Sequence, residues 1–124
     1  MKALLIVAHG SRNIDSVVEI ENLASTIRPL PGQYDIVQHA FLELAQPDIV
    51  TGLDSLIKQG AKDIVILPYF LARGNHVMFD IPKEVNQLMQ SNDSIKITTL
   101  PHLGANQNMP AFVTKHISET LNQP

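Results

Sequence analysis

Two segments of this 124-residue chain, 2–8 and 63–69, are almost entirely apolar. A strand with one face in water alternates apolar and polar residues, whereas a strand of a parallel sheet is covered on both faces and shows a continuous apolar run. Each segment is far shorter than the roughly 20 apolar residues of a membrane-spanning helix. The two runs therefore predict central strands of a parallel sheet that lies between layers of helices.

Segments with the apolar spacing of amphipathic helices alternate with strand-like segments along the chain. The predicted helices run from about 16 to 27, 48 to 59, 81 to 90 and 109 to 121, and their start signals are Asp15 or Ser16, Pro47 with Asp48, Asp80 with Pro82, and Asn108 with Pro110. Two more polar segments, 34–41 and 95–100, predict further strands, the first near a sheet edge. Gly60 stands where a left-handed residue commonly ends a helix.

The resulting order, βαβαβαβα with short connections, predicts a small doubly wound, flavodoxin-like α/β fold with right-handed crossovers. We expect residues 1–124 to form one domain, with a four-stranded parallel sheet in the order 2-1-3-4 and helices on both faces. In this topology every strand-to-helix connection leaves from the same edge of the sheet, and the first and third strands are neighbours. Polar residues in those connections are therefore expected to meet.

Composition and charge exclude several classes of function. The net charge of −3 argues against general nucleic-acid binding, which relies on a basic surface. Because the chain has no cysteine, it has no disulfide and no thiolate metal site, so a metal ion would be held by histidine and carboxylate. The first apolar run is followed by His9 and Gly10 rather than by a small-residue cleavage site, which favours a strand over a signal peptide and predicts a cytoplasmic protein with no membrane partner.

Three polar residues follow three of the predicted strands. His9 follows the first, Glu43 follows the second, and His76 lies in the connection after the third. Two imidazoles and a carboxylate at one sheet edge form a plausible site for a divalent metal ion, with coordination positions left open for a second ligand. Arg12 and Arg73, with Lys83 further along, would add positive charge for an anionic substrate.

Each of these residues also has a purely structural interpretation. A single histidine after a strand commonly serves as a hydrogen-bonding loop residue, Glu43 could cap the following helix, and the two arginines could be solvated loop charges. Gly10 and Gly74 would allow tight turns or the close approach of a ligand. Of the remaining histidines, we interpret His39 and His116 as structural. His102 is a weaker candidate at the same edge of the sheet.

Three separate motifs resemble those of a known family. They are His9-Gly10-Ser11-Arg12, the segment 40–43 ahead of Pro47, and the segment 67–71 with Gly74, His76 and Asp80-Ile81-Pro82. The chain resembles the class II chelatases over most of its length, from about residue 3 to Leu103 and Gly104. More narrowly, it is similar to the small, single-domain CbiX type, the sirohydrochlorin chelatases that insert cobalt, iron or nickel into a tetrapyrrole.

The resemblance implies a metal-inserting lyase of cobalamin- or sirohaem-type tetrapyrrole biosynthesis. His9 and His76 would bind the metal and accept pyrrole protons, with Glu43 orienting a histidine, taking a proton or assisting the metal. The divalent metal, Co²⁺ in first place and Fe²⁺ or Ni²⁺ otherwise, would be a substrate, and no cofactor would be permanently bound. The substrate-binding residues implied are Gly10, Ser11, Arg12, Arg73, Gly74 and Asn75.

The width of a tetrapyrrole implies a partner. Larger class II chelatases build the cleft from two such domains, so a single domain is expected to form a homodimer, the commonest symmetric oligomer. Met78 and Phe79 stand where related sequences usually carry polar residues, and would pack either on the macrocycle or on the partner chain. The alternative function is a non-catalytic protein that binds or carries a metal or a tetrapyrrole at the same site.

Overall fold

The computed structural model describes residues 1–27, 33–72 and 74–122, and for residues 75–78 it describes the backbone alone. Strands and helices alternate along the chain. They are β1 (Lys2–Ala8), α1 (Ile14–Ile27), β2 (Ile36–Phe41), α2 (Ile49–Lys58), β3 (Asp63–Pro68), α3 (Asn75–Met89), β4 (Lys96–Thr99), a short 3₁₀ helix (Leu103–Ala105) and α4 (Met109–Leu121).

The four strands form one parallel sheet in the order β2-β1-β3-β4. The predicted α/β class and strand order are therefore confirmed, and β2 lies at an edge as its more polar sequence indicated. The register brings Ala8 beside Phe41 and Val7 beside Pro68. The carboxyl ends of β1, β2 and β3 consequently lie side by side, which is the arrangement that the site requires.

Strand β1 is apolar throughout because both of its faces are buried. On one face Leu5 and Val7 belong to a cluster with residues of α2 and α3, among them Leu53 and Ile81. On the other face Leu4 and Ile6 pack with Ala24 of α1 and Val37 of β2. Full burial of a leucine or isoleucine side chain stabilises the fold by about 1.5–3 kcal/mol, so β1 anchors both layers.

Helix α3 begins six residues earlier than predicted. The expected start at Ile81, with Asp80 as the cap, is wrong: the helix starts at Asn75 after an extended Gly74, and Asp80 lies in its second turn. Pro82 is inside the helix, where it removes one helical hydrogen bond. Ile81 and Val85 are buried on either side of Pro82, and their burial holds the helix together across it.

The other differences are at helix and strand ends. Helix α1 is capped by Asn13 and not by Asp15 or Ser16, because Asn13 Oδ1 accepts a hydrogen bond from the Asp15 amide at 2.9 Å. The predicted cap of α2 is confirmed, since Asp48 Oδ1 accepts from the Thr51 amide at 2.8 Å. Strands β2 and β4 are shorter than predicted, beginning at Ile36 and Lys96. In the described part of the chain, no helix has the length and apolar character needed to cross a bilayer.

Replacing Asp48 with alanine is expected to lower the free energy of unfolding by about 1 kcal/mol, the usual effect of losing a helix cap. The hydrogen bonds from Thr51 hold the pKa of Asp48 below its ordinary value. This contribution to stability is therefore present above the pKa of the unfolded state and is lost as the pH falls through the folded pKa. Urea unfolding at pH 7 and at pH 3 measures the effect.

Asp54→Ala in the same helix is the matched control. Asp54 forms an exposed ion pair with Lys58 at 2.9 Å, which contributes little because water screens it. Equal losses in the two variants would contradict the assignment of Asp48 as the cap.

Candidate functional site

The pairing of β1 with β2 continues past the ends of both strands. The Leu42 amide donates to the Ala8 carbonyl at 3.0 Å, and the Glu43 amide donates to the His9 carbonyl at 3.1 Å. These two backbone hydrogen bonds fix the first residues beyond the sheet. They hold His9 and Glu43 next to each other, so that His9 Nε2 lies 3.4 Å from Glu43 Oε1.

The His9 ring lies with its Nδ1 atom 3.3 Å from the Gly10 carbonyl oxygen. With the proton on Nδ1, that nitrogen donates to Gly10, and the lone pair of Nε2 is directed to the side of Glu43. Two ligand atoms of a tetrahedral ion with bonds of about 2.1 Å are about 3.4 Å apart, the separation found here. Both side chains are more than half exposed. The pair therefore has the spacing of two ligands of one divalent ion, whose other positions would stay open.

Gly10 brings the two connections into direct contact. Its φ of +100° lies in the left-handed region, and a Cβ atom at this position would collide with the carbonyl oxygen of Glu43. A side chain here would push the Glu43 backbone away from β1 and open the donor pair. The glycine of the first motif is thus required by the backbone geometry that places Glu43 beside His9.

Asp80 lies beside the His9–Glu43 pair, a position that the sequence analysis did not predict. A small cleft of about 70 Å³ is lined by His9, Leu42, Glu43 and Asp80. Asp80 had been assigned as a helix cap because Pro82 suggested a helix start. His76 and Asp80 are four residues apart. With the helix starting before His76, that spacing puts the two positions one turn apart on the same helix and so indicates that Asp80 belongs near the predicted site.

Glu84 lies one further turn along α3, where the charges of Asp48 and Asp80 act on it. Its pKa is raised above the ordinary value, first by partial burial and then by the negative charges of Asp48 and Asp80, while Lys83 opposes the shift. The Glu84 Oε2 atom is buried, and no hydrogen-bond partner for it is found among the described residues. Lys83, expected to add positive charge for an anionic substrate, thus also acts on the carboxyl group of Glu84.

A larger cleft of about 290 Å³ lies on the other side of His9. Its lining comes from the end of β1, from the N-terminal half of α1, from Phe41 and from Tyr69. Gly10 and Ser11 line it, and Ser11 Oγ accepts a hydrogen bond from the Asn13 amide at 3.0 Å. Arg12 is exposed in the same connection. The structure thus gathers His9, Gly10, Ser11 and Glu43 at one edge of the sheet, with Arg12 beside them.

The predicted residues after β3 are described only in part. His76 is the second residue of α3 and not a loop residue, which corrects the expected position. Gly74 immediately precedes the helix and Asn75 begins it. Arg73 and the side chains of Asn75 and His76 lie outside the described residues, so their roles stay predictions. Among the residues whose side chains are described, no group of three or more histidine, aspartate or glutamate residues is arranged to hold a metal ion.

The other histidines lie away from this pair. The His39 ring contacts Phe41 edge-on, with centroids 5.6 Å apart. His116 stacks on Phe112 within α4, with centroids 6.3 Å apart. His102 lines a separate groove on the far side of β3. These positions agree with structural roles for the first two and give His102 no contact with the His9 clefts.

Apolar side chains stand exposed next to the polar site residues. Leu44 follows Glu43, Leu71 lies in the connection after β3, and Phe79 precedes Asp80. Their exposed fractions are 52%, 74% and 72%.

Comparison with known proteins places this chain in a family. The CbiX family model matches residues 3–120. This chain belongs to the CbiX family. The solved structure of the sirohydrochlorin chelatase SirB from Bacillus subtilis subspecies spizizenii in complex with cobalt superposes with a TM-score of 0.82 and 28% identity, over 95% of this chain and 50% of that one.

Two curated relatives are named for different metals. The sirohydrochlorin cobaltochelatase of Methanococcus aeolicus is 40% identical over 83 residues, which cover 67% of this CbiX-family chain and 57% of that protein. The chloroplastic sirohydrochlorin ferrochelatase of Arabidopsis thaliana is 31% identical over 119 residues, covering 96% of this chain and 52% of that one. The chain thus spans little more than half the length of these relatives.

Gly10→Ala is expected to lower the free energy of unfolding by at least about 2 kcal/mol, because the new Cβ atom meets the Glu43 carbonyl in a backbone conformation that already disfavours alanine. Gly60→Ala is the matched control. Gly60 has a φ of +102° and open space around its Cβ position, so only the conformational cost of about 1 kcal/mol applies. Urea unfolding of the two variants measures the difference. Equal losses would show that the contact between Gly10 and Glu43 does not constrain the site.

Glu84→Gln is expected to raise the free energy of unfolding at pH 7 by less than about 1 kcal/mol. Since the folded pKa of Glu84 is raised, the folded state binds more protons than the unfolded state, and the wild-type protein loses stability as the pH rises from the ordinary glutamate pKa through the folded pKa. Thermal unfolding from pH 4 to pH 7 measures this difference, which should vanish at pH 4. Glu21→Gln, on the exposed side of α1, is the control, and a gain independent of pH would contradict the explanation.

Proposed function

We propose that this chain is a chelatase, a lyase that inserts a divalent metal ion into sirohydrochlorin. The observation that carries the proposal is the His9–Glu43 pair, held 3.4 Å apart at an open sheet edge in a member of the CbiX family. Curated relatives named as sirohydrochlorin cobaltochelatase and ferrochelatase support the substrate, and the SirB structure in complex with cobalt supports the metal class. Co²⁺ is our first choice of metal substrate, with Fe²⁺ and Ni²⁺ as the others, and no permanently bound cofactor is proposed.

The described ligand atoms suit temporary binding of a metal ion. His9 and Glu43 supply two bonds, and the open positions leave room for solvent or for ring nitrogens of the substrate. A closed site of four protein ligands would retain the ion. Two bonds from exposed side chains hold it at the edge of the sheet and allow its transfer.

The same atoms can take up the protons that insertion releases. When an ion enters the macrocycle, four ring nitrogens bind it and two pyrrole protons must leave. As the ion leaves His9 Nε2, the lone pair of that nitrogen becomes able to accept one proton, since imidazole is a base near neutral pH. Glu43 then stabilises the imidazolium ion across the 3.4 Å separation.

We assign the second basic position to His76. It lies in the first turn of α3, four residues before Asp80, and Asp80 shares a cleft with His9 and Glu43. Asp80 is proposed to receive or orient a proton at this cleft. The role of His76 rests on its place in the helix and on the family motif.

The macrocycle is proposed to lie over the exposed apolar side chains at this edge, Leu44, Leu71 and Phe79. Arg12 and Arg73 would pair with carboxylates on the rim of the tetrapyrrole, since arginine forms strong charge-assisted hydrogen bonds with carboxylates. The connections after β1 and β3 would approach the tetrapyrrole ring closely at Gly10, Ser11, Gly74 and Asn75. A second copy of the chain would supply the opposite wall, in line with SirB, of which this chain covers 50%. The cytoplasmic location stays a prediction.

The test is anaerobic insertion of Co²⁺, Fe²⁺ and Ni²⁺ into sirohydrochlorin, followed by absorbance against a reaction without protein. His9→Ala and His76→Ala are each expected to lose at least about 100-fold in rate, the usual scale for a proton-transfer group. Glu43→Gln and Asp80→Asn are expected to lose about 10-fold, the lower end of the effect of removing a group that supports a metal-binding histidine, because each keeps its shape and loses its charge. Asp54→Asn, a carboxylate on α2 paired with Lys58, is the control and should match the wild type.

Wild-type rates in both histidine variants would overturn the proposed chemistry. A folded protein that binds Co²⁺ or the pigment but does not accelerate the insertion of any of the three metals would instead identify the alternative function. It would be a metal or tetrapyrrole carrier that uses the same residues.

A further inference from the structure

The connection after β3 is held by backbone contacts rather than by its side chains. The Tyr69 amide donates to the Val7 carbonyl at 2.8 Å, which extends the β1–β3 pairing by one residue past the end of β3. The Phe70 amide then donates to the Pro68 carbonyl at 3.0 Å and turns the chain. Leu71 is 74% exposed, so the burial of its side chain does not fix the path from here to α3.

Gly104 contacts that path from the neighbouring connection. It lies in the 3₁₀ helix after β4, and its amide donates to the Phe70 carbonyl at 2.9 Å. A Cβ atom at Gly104 would collide with the Leu71 carbonyl oxygen and would lie 2.8 Å from the Leu71 Cα atom, closer than van der Waals contact allows. The Leu71 backbone therefore packs directly on the backbone of Gly104.

The contact with Leu71 is what requires a glycine at position 104. Gly10 and Gly60 have left-handed backbones, with φ values of +100° and +102°, whereas the backbone of Gly104 is not left-handed. An alanine could therefore adopt the φ of Gly104, and only the space for its side chain is missing. The glycine is thus explained by the close approach of two chain segments and not by a turn.

The segment that carries Gly104 is firmly held. It is tied to the sheet at its start, where the Leu100 amide donates to the Ile66 carbonyl at 2.9 Å. It is braced internally, since the Ala105 amide donates to the His102 carbonyl at 3.0 Å. The exposed connection after β3 therefore takes its position from this segment.

The same arrangement is found at the other pair of strands. At β1 and β2, Gly10 lies against the carbonyl group of Glu43, the second residue beyond β2. At β3 and β4, Gly104 lies against the carbonyl group of Leu71, the third residue beyond β3. In each pair, a glycine of one connection packs on the backbone of the neighbouring connection. The two contacts flank the edge of the sheet at which the site residues gather.

We propose that Gly104 is a positioning residue, whose contact with Leu71 sets the start of α3 and so the place of His76. Only three residues separate Leu71 from the first residue of α3, so a displacement of Leu71 is passed on to the start of the helix. Gly104 acts through the backbone of Leu71 and touches neither metal nor tetrapyrrole. The inference rests on the proposed function, because it concerns the second basic position assigned there.

A displaced start of α3 predicts a specific kinetic defect. His9 and Glu43 are held by the backbone bonds between the connections after β1 and β2, so Gly104→Ala leaves Co²⁺ binding at this pair intact. The proton acceptor at His76 is misplaced, and a misplacement of about 1 Å costs on the order of 100-fold in rate. We expect Gly104→Ala to lower kcat for Co²⁺ insertion at least about 10-fold, with KM for Co²⁺ within about 2-fold of the wild-type value.

Gly60→Ala is the matched control. This replacement also strains a left-handed backbone, but Gly60 lies in the connection that leads into β3, at the opposite edge of the sheet, so both kinetic constants should equal those of the wild type. Gly10→Ala should give the opposite pattern, a KM for Co²⁺ raised at least about 10-fold, because it opens the pair beside it. An unchanged kcat in folded Gly104→Ala, or a KM raised as much as in Gly10→Ala, would overturn the proposal.

A second readout needs neither metal nor pigment. In two-dimensional NMR spectra of the amide groups, Gly104→Ala is expected to shift the signals of residues 75–80 in α3 and to leave those of His9 and Glu43 in place. Shifts confined to the two touching connections, without α3, would refute the positioning role. If the wild-type protein inserts no metal, the proposed function fails, and these spectra alone decide the role of Gly104.

Hydrogen exchange of the wild-type protein decides the case in which Gly104→Ala does not fold. If Gly104 holds the start of α3, its amide and the amides of Phe79 and Asp80 open together and show one free energy of opening in dilute urea. Separate openings, with either the Gly104 amide or the α3 amides exchanging while the others stay protected, would contradict the proposal.

Discussion

The site depends on two backbone hydrogen bonds that continue the β1–β2 pairing past the ends of the strands. They join Leu42 to Ala8 and Glu43 to His9, and so place an imidazole and a carboxylate side by side without any contact between their side chains being needed. Gly10 permits the approach, since any Cβ atom there would meet the Glu43 backbone. The burial of β1 on both faces keeps this edge rigid, while His9 and Glu43 themselves stay open to solvent. A rigid backbone with exposed donors suits an ion that must be held and then released.

Much of this fold could be predicted because its strongest constraint, the continuous apolar sequence of the central strands, can be read directly from the sequence. Continuous apolar runs such as that of β1 arise only where both faces of a strand are covered, and four strands with short helical connections leave few topologies. The start of α3 could not be predicted in the same way. Pro82 favours the first turn of a helix, and only the burial of Ile81 and Val85 against other elements, which is a tertiary effect, explains a helix that continues through it. The same error concealed Asp80 as a neighbour of His9.

The amphipathic pattern of α4 shows a different limit of prediction from sequence, which concerns the surface that a helix packs against. Its spacing predicted a helix at 109–121, and the helix is there. The pattern predicts that one side of the helix is buried, but not against which surface, because that depends on the direction in which the preceding residues lead the chain. In the described structure Phe112, Ile117 and Leu121 stay exposed, with fractions of 63%, 51% and 78%.

Under the proposed function, the His9–Glu43 pair also determines when during folding the chain could first hold an ion. His9 and Glu43 come from different strands, and their contact exists only after β1 and β2 have closed around the whole of α1. An unfolded or partly synthesised chain has isolated donors, whose affinity for a metal ion is far lower than that of a preformed pair. Such a chain would therefore not withdraw metal from the cell, and a bound ion would favour the native state alone. On the proposed function, the parallel pairing makes the completed sheet the first species in which both donors are in place for the metal.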